Sequence, residues 1–317
     1  MSCPYEYISD ARVSELLSWQ SVFEAAERAL ESVSTGDAYQ TTRTKLRVGQ
    51  GFNFVNVMTG YLQDEKYGGL VNLFFNPFRG NRNLEPPLPV VHSDITLIDE
   101  NTGVTKAIIS GGEPMRWITP ASSVIATKYL HRKSKEVLAI IGAGNQGRIH
   151  AIALQKYFNF SEVRIWNRTA SKAEHLVTEL NRGLNKPIFV NTNSIEGCVN
   201  GADVIVTATH STQTLVQKSW IKIGAHINAI GVSSITTELD ADTYRACKIY
   251  TDYKEGAEVE LKHIKNFGVQ FEGQIGDVIT GKIPPPEENA ITIFQSLGMA
   301  VQYCAISRLI YDLHSAK

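Results

Sequence analysis

Residues 142–147 read Gly-Ala-Gly-Asn-Gln-Gly, a run with the spacing G-x-G-x-x-G. Glycines so placed can cradle a pyrophosphate. Gly142 permits a tight turn, Gly144 lets the backbone come close to the phosphates, and Gly147 lets a following helix pack on the preceding strand. Asn145 and Gln146 stand where the helix would begin, its free N–H groups and partial positive charge facing an anion. Further on, Asn167-Arg168-Thr169 occupies the place where a dinucleotide site that selects NAD carries Asp or Glu for the ribose hydroxyls. A carboxylate there would repel a 2′-phosphate, whereas Asn, Arg and Thr all offer donors and Arg168 adds a matching charge. The glycine spacing alone arises by chance in many turns. In register with the second segment it specifies NADP(H) as cofactor.

Those residues need a strand before them and a helix behind them. Residues 136–141 form a short apolar run, 148–157 can carry a helix, and 163–166 a second strand. A helical pattern at 171–180 follows, then short strand-like runs at 188–190, 203–207, 226–230 and 248–251. Strands that are almost wholly apolar and alternate with helices imply a parallel sheet covered on both faces. In such a sheet ligands bind at the carboxyl ends of strands, which points to Thr209-His210 and to Ile230-Gly231-Val232 as cofactor contacts. His226, inside an apolar strand, reads as structural. Residues 281–286, rich in proline, close this region, and 291–314 read as one final helix.

Upstream, apolar residues from Leu16 to Val33 recur at helical spacing, so 11–34 is expected to be helical. Strand-like runs follow at 52–58, 69–75 and 93–98, punctuated by Pro77 and by the prolines of 85–89, and 121–130 again looks helical. The fold class is α/β: a Rossmann doubly wound parallel sheet plus an α+β N-terminal domain. We expect domains at 1–125, completed by a C-terminal helix of about 296–317, and at 126–295.

The composition narrows the function classes. With 317 residues, 43% hydrophobic and 20% charged, the chain suits two soluble globular domains. A net charge of −1 gives no electrostatic case for nucleic acid or an anionic membrane. Cys3, Cys198, Cys247 and Cys304 are scattered without a C-x-x-C pair, so neither a metal site nor a disulfide framework is expected. There is no secretory signal pattern, lipidation motif or apolar run of about 18 residues, and a cytoplasmic protein is expected.

Taken together, the chain resembles the ornithine cyclodeaminase/mu-crystallin family. The resemblance rests on Gln40 with Arg43-Thr44, residues 141–146, 163–169, 201–205 and 224–231, Glu238-Leu239-Asp240, and 296–301. It is strongest toward the mu-crystallin, or ketimine reductase, branch. It implies an N-terminal substrate and dimerisation domain, a Rossmann domain, homodimers, and NADPH-linked reduction of a cyclic ketimine, a small-molecule substrate. Ser296, opening Ser-Leu-Gly-Met, resembles a residue that touches the cofactor. His92 aligns with a residue near the nicotinamide and could donate a proton to an imine nitrogen; the alternative is a hydrogen-bonded structural histidine. Arg43 is either an anchor for a substrate anion or a salt-bridge arginine.

Three charged positions of the family are replaced. A Lys aligns with Gly69, an Arg with Ile118, and a catalytic Asp with the loop around Ser233-Ser234. Cations in an enclosed site exist to pair a carboxylate, so their loss removes the usual reason for a carboxylated substrate. Lys66 and Arg116 lie close enough in sequence to stand in for them. The leading expectation is therefore an NADPH-dependent imine or ketimine reductase acting on a substrate other than the family's usual carboxylated one. A non-catalytic NADPH-dependent binder is the alternative, and a cyclodeaminase-like lyase is a third reading that lacks its Asp.

Overall fold

The computed structural model describes residues 5–51, 53–211, 213–231 and 237–316. It divides into two compact units, one of Met1–Ala121 with Gly298–Lys317 and one of Ser122–Leu297.

The first unit is a sheet backed by helices. It runs β1 (Glu6–Ile8), α1 (Asp10–Leu16), α2 (Trp19–Thr35), β2 (Ala38–Gln40), β3 (Thr44–Arg47), β4 (Phe54–Leu62), β5 (Gly69–Pro77), β6 (Val91–Ile98), β7 (Thr105–Ser110) and the first part of α3 (Gly112–Leu130). The single helical stretch expected at 11–34 is two helices. Leu17 turns extended, and the Ser18 hydroxyl caps α2 by accepting from the Ser21 N–H, so the chain restarts there. Gly36, at φ +89°, ends α2 in the left-handed conformation. The sheet order is β1-β7-β6-β5-β4-β2, with β3 also on β4, and all pairs except β1·β7 are antiparallel. Along β5 and β6 alternate residues are buried, Val71, Leu73, Ile95 and Leu97 among them, and α2 and the C-terminal helix (Ala300–Ser315) lie in the same unit. That helix comes so close to β4 that a Cβ on Gly60 would lie 2.8 Å from the Ala300 backbone.

The second unit carries β8 (Val137–Ile141), α4 (Asn145–Phe158), β9 (Glu162–Trp166), α5 (Ala170–Asn181), β10 (Phe189–Asn191), α6 (Ile195–Val199), β11 (Val204–Thr207), β12 (His226–Ala229), α7 (Ala241–Ala246), β13 (Lys248–Thr251), α8 (Lys254–Glu260), α9 (Lys262–Lys265), β14 (Phe271–Gln274), α10 (Ile275–Ile279) and β15 (Thr292–Gln295). Its sheet is parallel throughout, in the order β10-β9-β8-β11-β12-β15-β13-β14. The first five strands follow the Rossmann order 3-2-1-4-5. The helix expected at 291–314 is corrected here. Residues Thr292–Gln295 are a buried strand paired to both β12 and β13, and the helix begins only at Ala300. A four-residue buried stretch looks the same to periodicity whether it is a strand or a helical turn. Among the described residues, no helix is long and apolar enough to cross a membrane.

Candidate cofactor site

Because every strand of the second sheet runs the same way, the residues that follow the strands share one edge. Gly142 follows β8, Asn167 follows β9, Ala208-Thr209 follow β11, Ile230 follows β12 and Ser296 follows β15. Sequence positions 142 to 296 are thereby gathered along adjacent strand ends. This is the carboxyl edge, where doubly wound sheets bind their ligands.

The glycine turn is built as its spacing requires. Gly142 sits at φ +114°, and a Cβ there would lie 2.6 Å from the Ala208 carbonyl oxygen. At Gly147 a Cβ would fall 1.7 Å from the Gly142 carbonyl oxygen, so α4 can pack on β8 only with glycine at that point. Gly144 is exposed, and a Cβ there would meet nothing within 4 Å; the space beside the backbone is open to a ligand. It is also the N-cap of α4 and supplies no side-chain cap, which leaves the helix's first N–H groups free for an anion. Asn145 is exposed at the first helical position, and Gln146 follows with a buried Oε1 that has no hydrogen-bond partner among the described residues.

Asn167 has a structural use that the sequence did not show. Its Oδ1 accepts the Ala143 N–H at 3.0 Å and its Nδ2 donates to the Thr169 carbonyl at 2.9 Å. One side chain thus braces the glycine turn against the end of β9, with one amide hydrogen and one lone pair of Oδ1 left over. Arg168 is exposed, with no hydrogen bond or ion pair among the described residues, and Thr169 caps α5 without a side-chain bond. An open glycine cradle, an unpartnered Gln146 acceptor and an exposed arginine after β9 fit a dinucleotide.

Beyond β11 and β12 the edge is organised by Glu238, which sequence reasoning used only as part of the family likeness. This side chain is 3% exposed. Its Oε1 accepts the Thr209 N–H at 2.7 Å and the Thr209 hydroxyl at 2.6 Å, and its Oε2 accepts the Gly231 N–H at 3.2 Å. Burial pushes the carboxyl above its ordinary range, against the pull of the donors. Its only sequence signal was a Glu two positions before the α7 N-cap Asp240, a spacing common to many helix starts. Asp252 acts likewise on the next strand end. It is fully buried, and its Oδ2 accepts the Ser296 hydroxyl at 3.1 Å and the Leu297 N–H at 2.9 Å. Ser296, expected to touch cofactor, is thus 6% exposed with its hydroxyl turned to a carboxylate. His210 is exposed and Ile230 half-buried at this edge, while Val232 and Ser233-Ser234 lie outside the described residues.

The two substrate candidates belong to the first unit. His92 is exposed on β6, paired across the sheet with Asn76 of β5. Arg43 precedes β3 and is half-buried, its charge near the buried Tyr303 hydroxyl of the C-terminal helix. Strands β4 and β5 stand between β3 and β6, a separation of about 14 Å at ~4.8 Å per strand. Lys66 bonds Glu24 at 3.1 Å, and Arg116 bonds Glu113 at 2.6 Å. Ile118 is buried at 1% exposure, and a Cβ on Gly69 would touch Leu97 at 3.4 Å. No group of three or more metal-ligating side chains occurs among the described residues.

The family model of the ornithine cyclodeaminase/mu-crystallin family matches residues 7–317. The chain belongs to that family. It is 32% identical over 321 residues to ketimine reductase mu-crystallin of Macropus fuliginosus, covering 100% of this chain and 99% of that one. Among solved structures it is similar to Thermococcus litoralis Δ1-pyrroline-2-carboxylate reductase, solved with NADH and L-proline, at TM-score 0.90 and 28% identity over 98% of both chains. An archaeal alanine dehydrogenase dimer with bound NAD matches at TM-score 0.88 and 28% identity, over 98% of this chain and 96% of that one. The two solved structures hold NADH or NAD on the same α/β fold.

Proposed function

We propose that this protein is an NADPH-dependent reductase of a C=N bond in a small cyclic imine that lacks the carboxylate of the family's usual substrates. The observation that carries the cofactor half is Arg168, exposed and uncommitted beside an open glycine cradle, where an NAD site carries an acid. When bound, the nicotinamide supplies a hydride to the imine carbon. The chain itself holds the phosphates at the start of α4, orients the nicotinamide end through the loops after β11, β12 and β15, and delivers a proton. His92 is our candidate for that proton.

The substrate half rests on what the family's cation positions have become. Gly69 offers no side chain, Ile118 is a buried hydrocarbon, and the neighbouring Lys66 and Arg116 are engaged by Glu24 and Glu113. Of the charged positions in the family resemblance, Arg43 is retained. Each charged hydrogen bond lost costs about 1.5–3 kcal/mol, so two losses weaken a carboxylated substrate by orders of magnitude. The test is kcat/KM, followed as NADPH consumption, for two cyclic imines that differ only in a ring carboxylate. We expect the uncharged imine to be preferred. Preference for the acid overturns the substrate reading, and tight NADPH binding without turnover of any imine would make the chain a cofactor-dependent binding protein instead.

A further inference from the structure

Hydrogen-bond directions around Glu238 identify what it does. The Thr209 hydroxyl accepts the Ser211 N–H at 3.1 Å, which directs its own proton to Glu238 Oε1. The Thr209 N–H reaches the same oxygen, and the Gly231 N–H reaches the other. Both oxygens therefore act as acceptors, the bonding pattern of a carboxylate. The backbone is fixed too, because the Glu238 carbonyl accepts the Leu215 and Val216 N–H groups at 2.8 and 3.0 Å. Packing at the other end is just as close. A Cβ on Gly231 would lie 2.3 Å from Glu238 Oε2 and 2.7 Å from the Thr209 carbonyl oxygen. Two loops that leave neighbouring parallel strands are pinned by one buried side chain, at the edge where the nicotinamide end of a dinucleotide lies.

We propose that Glu238 is a positioning residue that sets the nicotinamide half of the cofactor site by tying the loop after β11 to the loop after β12. This rests on the cofactor reading above and goes beyond it by separating the two halves of the site. The adenosine half is built on the glycine turn and on residues 167–169, none of which bonds Glu238. Its latch therefore matters for the whole dinucleotide and not for the adenosine fragment. Glu238→Gln keeps the size of the side chain but turns an NH2 group toward the N–H of either Thr209 or Gly231, since each oxygen already faces one.

The experiment is calorimetric titration of full-length wild type and Glu238→Gln with NADPH and with adenosine 2′,5′-bisphosphate. We expect the variant to lose about tenfold or more in NADPH affinity while its affinity for the fragment stays within about twofold. Equal losses for both ligands would show a merely structural residue, and no loss for either would show that the latch is idle; both overturn the proposal. A wild type that binds NADH and ADP but not the 2′-phosphorylated pair would sink the cofactor preference alone, and the same ratio is then read with NADH and ADP. Should Glu238→Gln fail to fold, hydrogen exchange in the wild type decides. The Thr209 and Gly231 amides must be strongly protected without ligand, and exchange at the rate of exposed loops overturns the latch.

Discussion

The proposed preference for NADPH rests on one side chain, Arg168. It stands exposed after β9, and the neighbouring Asn167 is occupied in bracing the glycine turn. On the proposed NADPH reading, the charge for a 2′-phosphate falls on Arg168, with Thr169 beside it. Arg168→Ala should weaken NADPH by about 1.5–3 kcal/mol and leave NADH nearly unchanged. Fluorescence titration with both cofactors checks this; equal weakening of the two would mean that Arg168 supports the loop and does not read the phosphate. The residue types at 142–147 and 167–169 were legible because each follows from a local constraint. Glu238 and Asp252 were not, because a buried carboxylate is defined by donors far away in sequence.

At the scale of the element, burial of histidine inside the second sheet and its first helix has a consequence for acid stability. His226 on β12 lies against Thr292 at 2.8 Å and Asn228 at 3.3 Å, and burial holds its pKa down at about 3. His150 on α4 faces Ser123 at 3.1 Å, and burial brings it down to about 4. Both stay neutral in the folded chain, while the unfolded chain takes up a proton near 6.5. Their stability contribution is complete above that pH and is lost as pH falls through the folded values. Each can add a slope of up to about 1.4 kcal/mol per pH unit. Glu238, raised by burial, works in the opposite sense, against these two and against His131 and His263, which burial also lowers. Urea unfolding should show stability falling between pH 6.5 and 4.5, and His150→Gln should flatten that fall. A pH-independent midpoint across this window would contradict the neutral assignment.

For the whole molecule, one face of the first unit's sheet carries exposed apolar side chains. Tyr7 at 64% and Phe74 at 37% exposure alternate with buried residues of their strands, the register puts Tyr39 at 60% and Leu46 at 64% on the face of Tyr61 and Val55, and Tyr39 stacks on Tyr61 across the β2·β4 pair. An exposed apolar face of this kind marks an association surface. We predict that it pairs with a second copy in an isologous dimer. Sedimentation velocity at micromolar concentration should give a dimer, and Tyr7→Glu with Tyr39→Glu should shift it to monomer. A wild-type monomer would remove the prediction.

By itself the sequence determined the α/β class, the parallel sheet and the glycine cradle, since apolar runs, helical periodicity and glycine spacing are local properties that survive any packing. It also placed Arg43 and His92 on the sheet-forming part of the chain. It read 11–34 as one helix because the apolar stripe runs on past the Ser18 cap, and it read Thr292–Gln295 as helix because a four-residue buried strand has no period of its own. Tertiary structure alone inserted β15 between β12 and β13, committed Lys66 and Arg116 to Glu24 and Glu113, and aimed three donors at Glu238. Those outcomes depend on which distant groups meet, and hydrogen-bond partners and ion pairs are chosen by proximity in the folded chain.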